Sequence, residues 1–234
     1  MVSGPTAMTS QVPLEDPLAH LPCSSVLEYQ KGQVIYDRNQ PSANIYLVIE
    51  GKVKVSHLTN DGHEVIVDIY RTDDFFGESA FLSPAQRSEE ARAFENTKLM
   101  AWTASEIEGL AAKEPRLALA LLQVLAQRNI DLTKRIESFS IDDISRRLAR
   151  TLIRLAERMG TTEHDGSIRL MPLTHELLSQ YVGTSREVVT LHMNRFRRQG
   201  YLRYSRKSMI LYPGAFQEWL KQERTLSGSS SSSS

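Results

Sequence analysis

Arg186, Glu187, Thr190 and Leu191 fall at spacings that share one face of a helix, and their chemistry is that of base reading. An arginine matches the O6/N7 edge of guanine bidentately, a glutamate accepts from cytosine N4, and a threonine or leucine meets thymine through a methyl group. Ser185, Arg195, Arg198, Arg206 and Lys207 are placed around them for phosphates, which position a protein without specifying sequence. From Arg186 to Lys207 there are seven basic side chains and one acid, Glu187. A solvated face usually mixes signs, so this excess suits a polyanion.

A helix-turn-helix is the element that must hold these residues. Thr174 can cap a first helix whose inner face carries Leu177, Leu178, Tyr181 and Val182, and Gly183 stops it. Ser185 can cap a second helix, to about Gln199, with Val188, Val189, Met193 and Phe196 inward. An ordinary helical hairpin has the same outline but not the basic excess. The following YLRYSRKSMILY reads as a β-hairpin wing.

The net charge of zero conceals two unlike halves. Met1 to Phe139 holds 13 Lys+Arg and 19 Asp+Glu, and Ser140 to Ser234 holds 15 and 9. That is the pattern of an acidic regulatory domain joined to a nucleic-acid-binding one. The single cysteine, Cys23, excludes an intrachain disulfide and a four-thiolate iron–sulfur cluster. His20, His57, His63, His164, His175 and His192 show no metal-ligand spacing, so no metal site is expected. With no P-loop or nucleophile elbow, no catalytic residue is assigned and the chain is expected not to be an enzyme; the rival from that class is a nucleotide hydrolase with an accessory DNA domain. No apolar run reaches a membrane span and no secretory signal layout is present, so a cytoplasmic protein is expected.

Residues 1–23 read as a loose N-terminal arm, and 24–112 as an all-β sensor domain ending in a short helix capped by Thr103 or Ser105. Strands are predicted at 34–36, 45–49, 53–55, 65–70 and 98–102, with Asp61-Gly62 a hairpin signal. Residues 113–140 predict a long helix and hinge. Along it Ala118, Leu122, Leu125, Asn129, Leu132, Ile136 and Phe139 recur at alternating spacings of four and three, the a/d seam of a two-helix coiled coil with Asn129 setting register. A homodimer is expected, and packing within one chain is the alternative. The DNA-binding domain occupies 141–224, opening with a helix from Ile144 to Met159 that is capped by Asp142 or Asp143. Arg146, Arg147, Arg150, Arg154 and Arg158 are expected mostly outward on it. Ile168-Arg169-Leu170 predicts a short strand, Ala215 to Arg224 a last helix, and 225–234 a disordered serine-rich tail.

The fold class is thus α+β: an N-terminal β-roll, a long dimerisation helix and a C-terminal winged helix-turn-helix. That order, with KGQVIY, IYLVIEGKVKV, the Asp61-Gly62 turn, FFGES and VGTSREVV, resembles the cAMP receptor protein and FNR family of bacterial transcription regulators over about residues 24 to 222. The resemblance implies sharp turns at Gly51, Gly62 and Gly77, with Asn39 where glycine is usual. It implies a cyclic-nucleotide site made of Gly77, Glu78, Arg87 and Ser88, although Glu89-Glu90 follows directly. In cAMP-responsive members two consecutive hydroxyl residues contact adenine, and the matching pair here is Leu132-Thr133, of which only Thr133 keeps the chemistry. The cysteine cluster of the oxygen-sensing branch is absent. The effector therefore stays open among cAMP or another cyclic nucleotide, a different ligand, and none.

For DNA the resemblance assigns Arg186 and Glu187 to base edges. The family's second arginine is replaced by Leu191, so the half-site is expected to be related to TGTGA without being identical. The implied partners are a palindromic double-stranded operator, a second copy of the chain and RNA polymerase, and the implied mechanism is a rotation about Phe139 to Ile141.

Overall fold

A pleat of period two sends the residues of one strand alternately to two cores, and the N-terminal half uses both. The computed structural model describes residues 14–38, 40–41, 43–82 and 88–228, with side chains as far as Lys221. It places β1 (Val26–Tyr29), β2 (Val34–Tyr36), β3 (Asn44–Glu50), β4 (Lys52–Leu58), β5 (Glu64–Arg71), β6 (Phe75–Phe76), β7 (Glu90–Ala93) and β8 (Thr97–Thr103) in two four-stranded antiparallel sheets, ordered β1-β8-β3-β6 and β2-β7-β4-β5. On β3, Tyr46 and Val48 enter the core between the sheets. Ile45 and Leu47 face the other way, under Trp102, Ile107 and Leu121. All five predicted strands are present. The unpredicted β7, Glu-Ala-Arg-Ala, has no β-branched or aromatic residue and is a strand because β2 and β4 flank it.

Gly51 turns β3 into β4 at φ 88°, and a Cβ there would lie 2.4 Å from the Asn96 carbonyl oxygen. Gly62 and Gly77, both at φ 85°, also stand at turns; Asn39 lies outside the described residues. The β4–β5 hairpin closes with Leu58 opposite Glu64. Further along it Val55 opposes Asp68 and Ser56 opposes Ile66, so Val67 is a bulge that takes no partner in the ladder.

Thr103 rather than Ser105 caps α1 (Ala104–Lys113), in a reciprocal capping box with Glu106. The long helix α2 (Pro115–Ile141) buries Leu117 and Ala120 and packs Leu121 on the roll, whereas all seven seam residues from Ala118 to Phe139 are exposed, Leu122 and Ile136 by 61% and 66%. The arm is not loose throughout: Asp16 caps a 3-10 turn at Pro17–His20, and the Glu15 N–H donates to Gln123 Oε1 on α2 at 2.8 Å. Residues 1–13 lie outside the description.

Asp143 caps α3 (Ile144–Met159), and β9 (Thr161–Thr162), β10 (Ile168–Leu170), α4 (His175–Val182), α5 (Arg186–Arg198), β11 (Leu202–Tyr204), β12 (Met209–Leu211) and α6 (Pro213–Gly228) follow. The strands form one sheet, β11-β12-β10-β9. Phe196 of α5 meets Phe216 and Trp219 of α6 edge-on, with ring centroids 4.9 and 5.6 Å apart. Helix α6 continues past Arg224 into the stretch expected as tail; residues 229–234 are outside the description. Among the described residues no helix is long and apolar enough to cross a membrane.

The α3 arginines are not mostly outward. Arg146 and Arg150 hold Asp142, which is 3% exposed, at 3.1 and 2.7 Å. Arg158 donates to Asp68 of β5 and to Asp74, both at 2.7 Å, and Arg154 Nη2 lies 3.6 Å from Asp68. Arg135 of α2 takes the freed Val67 carbonyl and also donates to the Ile66 carbonyl. Ile66 and Ile69 belong to the same buried cluster as the DNA-binding helices, so the roll docks on that domain through β5. An outward arginine would have been solvated; these face acids that come from distant segments.

Burial pushes the Asp142 carboxyl up, but hydrogen bonds from Ser138 and Arg146 and the charge and hydrogen bond of Arg150 outweigh it and hold the group below its ordinary value. A carboxylate shifted this way stabilises the fold above about pH 4, and that contribution is lost as pH falls below it. Asp142→Asn is therefore expected to melt lower at pH 7, with the difference from the parent narrowing toward pH 3. Equal melting shifts across that range would refute the assignment.

Candidate nucleic-acid interface

Helix α4 starts where the Thr174 hydroxyl accepts from the Leu177 N–H at 3.0 Å, and it ends in the left-handed conformation of Gly183, φ 72°. A Cβ on Gly183 would stand 3.2 Å from the Phe139 ring, so the turn of the motif abuts the end of α2. Ser185 caps α5 by accepting from the Val188 N–H at 3.3 Å, a bond worth about 1 kcal/mol. Val189, Met193 and Phe196 are fully buried, and this rotation about the helix axis leaves Ser185, Arg186, Glu187, Leu191, Arg195 and Arg198 exposed. Arg206 and Lys207 are exposed on the turn of the β11–β12 wing.

Thr190 differs. It is half-buried, its hydroxyl donates to the Arg186 carbonyl at 2.8 Å, and its oxygen lies 2.8 Å from His175 Nδ1. Because the one hydroxyl proton is committed to the backbone, His175 must donate through Nδ1. Of the expected base-contact residues, Thr190 therefore has only its methyl free. His175 is a residue that sequence reasoning missed, its sole local signal being its place at the start of α4. Tyr204 ties the wing to the same face: its ring meets His175 edge-on at 6.0 Å, its hydroxyl donates to Asn194 Oδ1, and Arg197 lies over it.

The Glu187 carboxylate, accepting from its own N–H and the Ser185 hydroxyl and flanked by Arg186, is held below its ordinary value and so is a full acceptor at neutral pH. Burial, aided by Arg186, pushes His175 down, and burial pushes His192 down with Arg195 adding to it against Asp143. Both imidazoles are lower in the folded chain than in the unfolded one, which then binds more protons. Stability is present above about pH 6.5 and falls as the pH drops through the folded values. Replacing both with Gln is expected to flatten the loss of melting temperature between pH 7 and 5, and an unchanged slope would show that other groups set it.

The matches to known families fall on these two regions. Residues 26–114 match the cyclic nucleotide-binding domain, and residues 146–219 match the Crp-like helix-turn-helix domain. The chain belongs to the CRP/FNR family of transcription regulators. The CRP-like cAMP-activated global transcriptional regulator of Mycobacterium tuberculosis is 29% identical over 186 residues, covering 79% of this chain and 83% of the relative. The global nitrogen regulator of Synechococcus elongatus is 26% identical over 188 residues, covering 79% and 84%. A solved CRP/FNR-family regulator from Thermus thermophilus superposes with a TM-score of 0.66 at 26% identity, covering 84% of this chain and 98% of that one.

Of the expected nucleotide residues in this CRP/FNR chain, Gly77, Glu78, Ser88 and Thr133 are among the described residues. Gly77 turns the backbone so that Glu78 opens a 3-10 turn, 78–82. Glu78 accepts from Arg128 Nη1 of α2 at 2.7 Å; Arg128 also donates to the Phe75 carbonyl and lies 4.9 Å over the Tyr70 ring. Arg128 was absent from the sequence reading, in which Arg87 was the cation of this site; Arg87 lies outside the described residues. The Ser88 carbonyl lies 2.7 Å from His57 Nδ1, and Glu89 accepts from the Tyr36 hydroxyl at 2.9 Å. Thr133 is exposed, and its hydroxyl donates along its own helix to the Asn129 carbonyl. Between the sheets Tyr36, Tyr46, Tyr70 and Phe76 stack with centroids 5.1–6.1 Å apart. The space beside Glu78 and Arg128 is only about 20 Å³.

Proposed function

We propose that this regulator works as a homodimer that presents two α5 helices to a palindromic operator. The observation that carries this is the division of α2: one face packs on its own roll, and the seven seam residues are left exposed along the other. A coiled coil through that seam sets two recognition helices about one turn of DNA apart, ~34 Å. Arg186 and Glu187 then read base edges with Leu191 on a thymine methyl, while Ser185, Arg195, Arg198, Arg206 and Lys207 hold phosphates. The protein acts on transcription in the cytoplasm with RNA polymerase as its further partner, and carries out no catalysis of its own.

Once an operator has been selected from random DNA, Arg186→Ala is expected to lose discrimination at one base pair per half-site, by about 1–3 kcal/mol. Lys207→Ala is expected to weaken every sequence alike and to reduce the salt slope by about one. Equal losses on operator and random DNA for both variants would sink this division of labour.

A second reading, favoured by the cyclic nucleotide-binding match over 26–114, is that the roll takes cAMP at Glu78 and Ser88. It requires the aromatic stack or the Glu78–Arg128 pair to move. Calorimetric titration with cAMP decides: saturable heat that disappears in Glu78→Gln supports it, and no heat removes it.

A further inference from the structure

A threonine in a helix divides itself between two χ1 rotamers, and its hydroxyl and methyl take different places in each. Thr190 is confined to one of them. Its hydroxyl donates to the Arg186 carbonyl at 2.8 Å, and its oxygen lies 2.8 Å from His175 Nδ1. With the oxygen held from both sides the methyl has a single position, on the face that Thr190 shares with Arg186 and Glu187 four and three places back. His175 is itself held in place. It opens α4 beside the Thr174 cap, and its ring meets the Tyr204 ring edge-on at 6.0 Å. The Tyr204 hydroxyl donates to Asn194 Oδ1 at 3.2 Å, and the Arg197 guanidinium lies 5.4 Å over the Tyr204 ring. One half-buried imidazole on α4 therefore touches both the recognition helix and the wing.

We infer that His175 is a positioning residue for base reading: it makes Thr190 present a methyl group to the operator, and so gives this chain a preference for thymine at one base pair of each half-site. This rests on the reading of α5 as the operator-reading helix, and it needs no effector. The chemistry of the two rotamers is unlike. A methyl group complements the C5 methyl of thymine, whereas a serine or threonine hydroxyl pairs with base donors and acceptors alike. A single net hydrogen bond favours one rotamer about fivefold. Without the His175 donor, the hydroxyl exchanges into the place of the methyl and the preference relaxes.

Replacing the thymines of the selected operator by uracil, one at a time, removes a single methyl and nothing else. Anisotropy titrations of the parent are expected to find one thymine per half-site whose replacement weakens binding about fourfold, as loss of one buried methyl does, and which Thr190→Ser no longer distinguishes from uracil. Leu191→Ala marks the separate thymine read by the leucine. At the Thr190 position His175→Phe, which keeps a ring against Tyr204 but has no donor, is expected to cut the thymine-to-uracil ratio by about half. His175→Asn, whose amide N–H stands near the place of Nδ1, should restore it. A histidine that only braced α4 would weaken both operators alike and leave the ratio untouched. Circular dichroism confirms the fold of each variant, and His175→Gln, which misplaces the N–H, takes the place of the Phe variant should that one unfold. A ratio unchanged without the donor overturns the inference, as does a parent for which no thymine methyl is read through Thr190. Arg186→Ala separates the two failures: full discrimination in that variant removes the reading of α5 itself, and lost discrimination beside an unchanged ratio removes only the role of His175.

Discussion

Ile136→Glu is expected to turn the dimer into a folded monomer and to remove operator binding at concentrations where the parent is saturated. Ile136 is 66% exposed in the single chain, so the change costs the protomer almost nothing. In the proposed coiled coil the same side chain lies in the seam, where burying an isoleucine contributes about 1.5–3 kcal/mol. A symmetric interface loses this twice, and the two new carboxylates face a dry surface and one another. The sum, about 3–6 kcal/mol, corresponds to two to four decades in the dimer dissociation constant. Sedimentation velocity reads the mass, circular dichroism the fold, and an anisotropy titration the DNA affinity. A dimeric Ile136→Glu protein would mean that another surface pairs the chains; a monomer with undiminished affinity would mean that DNA is read by single copies.

Asp68→Ala carries the next largest effect. Asp68 is the acceptor for Arg158, the ion partner of Arg154 and the acceptor of the Tyr181 hydroxyl at 3.3 Å. Removing one side of a buried pair costs about 3–5 kcal/mol because the other charge stays behind unpaired. Here the arginines are 24% exposed, so water screens part of that and about 2–3 kcal/mol is expected. Burial already lowers Arg154 from its ordinary range, with Asp68 acting to restore it, so the loss falls hardest on that residue. The measurement is hydrogen exchange: α3 and α4 should lose protection together while the interior of the roll keeps its own. Unchanged protection in α4 would show that the apolar contact of Ile66 and Ile69, with the Arg158–Asp74 pair, holds the two domains together without Asp68.

These two substitutions also separate what was readable along the chain from what was not. The helix-turn-helix depends on rules that act over three or four residues: the Thr174 and Ser185 caps, the stop at Gly183, and the inward spacing of Val189, Met193 and Phe196. Five of the β-roll strands, β2, β3, β4, β5 and β8, and the exposed seam of α2 follow from the same kind of local periodicity. Sequence by itself therefore determined the order of the elements, the face of α5 that meets solvent and the stripe left for a partner.

Tertiary structure alone decided which charges meet. Arg128 reaches Glu78 across 50 positions, Arg158 reaches Asp68 across 90 and Tyr181 reaches it across 113. No period along the chain encodes such pairs. An arginine that faces water and one that faces a distant aspartate occupy the same helical pattern, so α3 read as solvated until β5 was laid against it. The same holds for Thr190, whose outward spacing was legible but whose hydroxyl was claimed by the Arg186 carbonyl and His175 once α4 and α5 were packed. Periodicity follows from backbone geometry and is written in every few residues; partnership follows from how elements pack, and exists only in the folded chain.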